Sequence, residues 1–179
     1  MRKLLMLVFT AMLCYSINAQ TTSINGLIGF SENGYSGMAN LHFHPKKDIN
    51  KYFEIGGYAS FLEEKLTRLD IPIEVYSLNV GYFSELSFLS ISNDSYSVSI
   101  GIGGVLGNEI IDDSEIDLSD RQFITTKDGV VYGGYGAVEA DIRITKHFSV
   151  LGRYTHFYHA NSEIAKSKFM IGLGLAIKL

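Results

Sequence analysis

One cysteine and two prolines are all that this chain of 179 residues contains, and it has no tryptophan. The cysteine, Cys14, falls inside an N-terminal stretch that reads as a secretory signal peptide. Met1-Arg2-Lys3 is cationic, residues 4–13 are mostly apolar, and Ala19 is a small residue before Gln20. The expected cleavage follows Ala19, leaving residues 20–179 as one domain. The apolar run is too short for a spanning helix, which needs about 20 residues. The residue before Cys14 is Leu13, where lipoprotein processing wants a small side chain, so the cysteine leaves with the signal. The mature chain then has no thiol, which excludes disulfides and thiolate metal sites.

A basic excess is missing too. Removing Arg2 and Lys3 takes the basic residues from 15 to 13 against 19 acidic ones, a net charge of −6. Without a basic block the chain cannot neutralise a phosphate backbone, so no direct nucleic-acid binding is expected. After the signal no apolar stripe of helical period persists. Glycine (18), tyrosine (11) and phenylalanine (11) are abundant instead, the composition of sheets with close backbone approaches.

What is present is a two-residue period. In the run from Lys168 to Leu179, the residues Phe169, Ile171, Leu173, Leu175 and Ile177 fall on one face. Lys168, Met170, Gly172, Gly174, Ala176 and Lys178 fall on the other. Similar runs cover residues 23–30, 37–44, 52–62, 71–83, 96–106, 131–144 and 148–157. Their non-apolar faces carry Gly, Ser, Asn and Tyr rather than the Lys and Glu of a water-facing surface. Eight strands, an even number, is the size of the smallest membrane barrel. The expected fold is therefore all-β: an eight-stranded antiparallel up-and-down outer-membrane β-barrel. The faces with Phe169, Ile171, Leu173, Leu175 and Ile177 would point into lipid. The structural rival is a soluble β-sandwich or lipocalin-like barrel.

Links at 31–36, 63–70, 107–130 and 158–167 alternate with links at 45–51, 84–95 and 145–147. Outer-membrane barrels keep short turns and both termini in the periplasm, so the acidic 107–130 segment is expected outside. The 84–95 link is long for a periplasmic turn, and its flanking strands are expected to extend toward Asn93-Asp94.

The charges that share a face with the lumen are expected to pair, because an eight-stranded barrel is filled by side chains. Glu139, Asp141 and Arg143 lie on one face of a strand and Arg153 on the next. These four form the expected interior ion-pair cluster, with Glu54, Glu74 and Lys168 as further candidates. The expected role is structural plugging, with a gated or proton-conducting path as the alternative.

Other constellations point to no chemistry of their own. His42 with His44, and His156 with His159, lack the further ligands of a zinc site. The acidic run Asp112, Asp113, Glu115, Asp117 and Asp120 lacks the glycine and spacing of a calcium loop. The glycine-rich run at 101–107 lacks the Lys-Ser/Thr of a phosphate loop, and no Gly-x-Ser-x-Gly elbow occurs. His156 with Ser162 is the one faint catalytic pair, of the kind a lipid-modifying acyltransferase would need. No cofactor, metal or small-molecule substrate is expected, and the protein is read as not an enzyme.

Lys127-Asp-Gly129, then Val-Val-Tyr-Gly-Gly134, a Glu-containing strand, a short turn and Phe169-Met-Ile-Gly-Leu-Gly-Leu-Ala-Ile-Lys178 resemble the TraO family of conjugal transfer proteins. Those proteins belong to Bacteroidetes conjugative transposons. The resemblance implies an outer-membrane subunit of an envelope-spanning conjugation apparatus, with lipid and other transfer proteins as partners. It carries over no catalytic residue. The alternative is a general OmpA-like barrel with a structural, adhesion or accessory role.

Overall fold

A computed structural model describes residues 19–46, 48, 50–66, 69–89, 95–111, 129–162 and 166–179, without the side chains of 19, 20 and 64–71. Residues 1–18, Asn93-Asp94 and the acidic positions 112–120 lie outside the described residues. Eight strands follow in order: β1 (Ala19–Ser31), β2 (Gly34–Pro45), β3 (Lys51–Leu66), β4 (Leu69–Glu85), β5 (Tyr96–Ile111), β6 (Gly129–Arg143), β7 (Phe148–His159) and β8 (Ser167–Lys178). Each pairs antiparallel with the next, and β8 pairs back onto β1 to close the barrel. Closure leaves no unpaired sheet edge, which a sheet in hydrocarbon requires.

The strands are longer than their apolar alternation. β5 continues past Leu106 to Ile111, and β3 and β4 stay paired out to Leu66 and Leu69. There the backbone ladder carries on through mixed polar residues, beyond the belt that side-chain patterning marks. The β1–β2 link shrinks to Glu32-Asn33. Asn33 adopts a left-handed φ of 57°, the conformation that asparagine tolerates best after glycine.

Side chains sort as the pleat dictates. Ile28, Phe30, Leu78, Ile102, Leu106, Leu173 and Leu175 stand outward and exposed, with Ile28 at 79% and Leu173 at 68%. Phe169, Ile171 and Ile177 share that outward face on β8. A continuous outward belt of this size is not the surface of a monomer in water. Among the described residues, no helix is long and apolar enough to cross a membrane.

The lumen is filled in layers. At the end opposite the chain termini, Leu62, Ile73, Val75 and Val131 form an apolar cap, with Ile111 against it. Below it lie Leu27, Met38, Tyr58, Tyr135, Phe157 and Met170. Room for the largest rings comes from glycines on the facing wall. A Cβ at Gly101 would collide with the Phe83 ring, and one at Gly103 with the Tyr135 ring. The Gly101–Gly107 run is thus a strand wall cut back for its neighbours' aromatics.

Candidate functional site

A buried charged layer lies between the aromatic plug and the rim where β1 begins and β8 ends. Glu139 and Arg153 face each other across the β6–β7 ladder. Glu54 reaches them from β3, across the lumen. Arg153 donates to Glu54 through both terminal nitrogens, with Nη2 2.8 Å from Oε1. Nη1 also lies 3.4 Å from Glu139 Oε2, and Nε donates to Thr155 Oγ1 at 3.0 Å. The guanidinium stands 4.9 Å from the centre of the Phe83 ring, a cation–π contact. Fork-to-fork pairing of this kind is both the stronger and the more directional form of ion pair.

Further donors complete the layer. Tyr135 donates to Glu54 Oε1 at 2.9 Å, and Tyr52 to Glu139 Oε1 at 3.0 Å. With its proton on Nε2, His42 donates to Glu54 Oε2 at 2.9 Å. Its ring stacks on Tyr52 at 4.4 Å, and Tyr52 stacks on Phe83 at 4.9 Å. Asn40 donates to Asn25 Oδ1 at 2.9 Å on the same side. Glu54 is 0% exposed and Arg153 3%, so these bonds stand in for water that the charges have lost.

Of the four residues expected to cluster, the structure brings together Glu139 and Arg153. Asp141 sits nearer the rim, its carboxylate 4.0 Å from Lys178 Nζ. Arg143 is exposed at the rim and stands apart from the buried layer. It shares a face with Glu139 but lies four residues on, roughly 13 Å along the strand at 3.3 Å per residue. Glu54 is the centre of the layer, whereas Glu74 points outward and accepts a bond from Tyr76 at 2.8 Å. Lys168 belongs to a second interior pair, 3.7 Å from Glu109. Glu109 escaped the sequence reading because it follows the last alternating apolar residue of β5.

His42, Glu54 and Glu139 place ligand-type atoms within 4.8 Å of one another. Arg153 already bonds both carboxylates there, and each Glu54 oxygen takes two donors. The arrangement therefore holds a guanidinium rather than presenting free lone pairs to a metal. His156 lies on the outward face, 3.1 Å from Ser167 Oγ and 3.4 Å from Tyr154 OH. It engages Ser167, while Ser162 is buried. Among the described residues, no carboxylate bonds His156.

Between the buried layer and the termini the lumen opens into a polar cavity of about 550 Å³. His42, Tyr52 and Glu139 contribute to its lining from the buried layer, and Asp141, Arg143 and Lys178 from the rim. The barrel is thus filled toward one end and open at the other.

The fold is similar to those of solved outer-membrane barrels. A major outer membrane protein from Thermus thermophilus superposes with a TM-score of 0.61 at 11% identity, over 89% of this chain and 99% of that one. The Neisserial surface protein A gives 0.58 at 9% identity, over 89% and 96%. The N-terminal β-barrel domain of Pseudomonas aeruginosa OprF gives 0.54 at 10%, over 90% and 99%. Among curated proteins none matches the chain. The family model for the conjugative transposon protein TraO matches residues 11–179, and the chain belongs to that family.

Proposed function

We propose that this protein sits in a bacterial outer membrane as a non-enzymatic β-barrel subunit of the envelope apparatus for conjugative transfer. The observation that carries the reading is a closed barrel with an outward apolar belt in a member of a conjugative transposon family. Phe169, Ile171, Leu173, Leu175 and Ile177 face hydrocarbon, and closure satisfies the backbone there without water. Both termini lie on the periplasmic side. Ile111 and Gly129, the strand ends on either side of the longest link in sequence, lie at the opposite rim, where outer loops are expected. The ion layer and the apolar cap make the barrel an anchor rather than a conduit. Its partners are outer-membrane lipid and other transfer proteins.

The test is deletion of the gene from a donor carrying the transfer element, with transfer frequency, membrane fractionation and detergent co-purification as readouts. Loss of transfer and co-purification with other transfer proteins support the reading. Unchanged transfer by the deletion strain refutes it in favour of a general OmpA-like barrel. Recovery of the folded protein in the soluble fraction refutes the membrane placement.

A further inference from the structure

We propose that the polar cavity at the terminus-side rim is a binding site for an acidic saccharide. The site is blind: its floor is the buried ion layer, backed by the stacked rings of His42, Tyr52 and Phe83. A ligand entering from the rim stops there, and about 550 Å³ suits a mono- or disaccharide unit within the range of small-molecule sites.

The lining selects the class. Thr21, Ser23, Ser97 and Ser99 offer hydroxyls and Asn50 an amide, while among the described residues the aliphatic lining is confined to Leu151 and Ala176. Groups that both donate and accept match a polyol, which does the same at each carbon. A peptide of ordinary composition would leave its apolar side chains without partners.

The charge follows from which groups are already engaged. Of the acids in the wall, Glu139 is bonded by Tyr52 and Arg153, and Asp141 lies beside Lys178. Arg143 and Lys146, neighbours at the β6–β7 end, make no ion pair among the described residues. Glu85 stands on the β4 wall, where it can accept from ligand hydroxyls. A carboxylate on the sugar would meet the Arg143 fork and the Lys146 ammonium at the mouth, with its ring among the hydroxyls below. This assignment holds whichever side of the membrane the rim faces.

The experiment is saturation-transfer NMR on the purified full chain in detergent micelles, with glucuronic acid, glucose and acetate as probes. Glucuronic acid ring protons should receive saturation at least fivefold more strongly than those of glucose. The R143A/K146A double variant should lose that signal while keeping its heat-modifiable folded band. Three results overturn the proposal: no transfer to glucuronic acid, equal transfer in the folded double variant, or acetate displacing the sugar acid at equal concentration. A second arm incubates the protein with insoluble cell-wall glycan. Retention that the double variant loses identifies a wall polymer as the source. Binding confined to the monosaccharide identifies a soluble one.

Discussion

Replacing Arg153 with Met tests the interior layer most directly. Arg153 bonds two carboxylates, Glu54 and Glu139, at least nineteen-twentieths buried. Removing one partner of a buried ion pair costs about 3–5 kcal/mol, because the remaining charge is left uncompensated. Here Glu54 keeps donors from His42 and Tyr135, and Glu139 keeps Tyr52. The expected loss is therefore near the lower end, about 3 kcal/mol. A triple variant, R153M with E54Q and E139Q, removes the stranded charges as well and should recover part of that loss. The chain lacks tryptophan, so unfolding in urea is best followed in lipid vesicles by the mobility shift of the folded band and by circular dichroism. A stability for R153M within about 0.5 kcal/mol of the wild type, the range of an ordinary surface change, would refute the reasoning. So would a triple variant less stable than R153M, since neutralising the acids would then have relieved nothing.

Arg143→Met, by contrast, should change stability by less than about 0.5 kcal/mol, because Arg143 is exposed at the rim; the same titration checks it. Leu173→Arg, in the outward belt, should destabilise the vesicle-embedded barrel by about 2–4 kcal/mol if it lies near the bilayer midplane. No loss in the urea titration would place that face in water. Gly174→Ala should impair folding, since its methyl would meet the Gly26 carbonyl and the Leu27 side chain, whereas Gly57→Ala meets nothing within 4 Å. Comparing folded-band yields of the two variants decides between them, and equal yields refute the steric argument.

The sequence made some of this legible and hid the rest for physical reasons. The β8 face was readable because Phe169 to Ile177 alternate without a break, and alternation is the pleat itself. Glu139 and Arg153 could be brought together because a tight turn joins their strands, which fixes the register between adjacent partners. Glu54 could not be placed the same way. It meets Arg153 across the lumen from 99 residues away, a contact that arises only when the sheet closes. Arg143 shows the limit of parity, which tells the side of a strand but not the depth along it. Glu109 shows the limit of hydrophobic patterning: β5 runs on by backbone pairing after its apolar signal has ended.

The seam between β1 and β8 has a consequence for how the protein is made. Gly26 pairs with Leu175, so the first strand must wait for almost the whole chain before its outer ladder is satisfied. Contacts this distant in sequence form late and slowly. Until they form, two bare strand edges stand open to other chains. Shielding both edges until the last strand arrives would protect the chain from pairing with its neighbours.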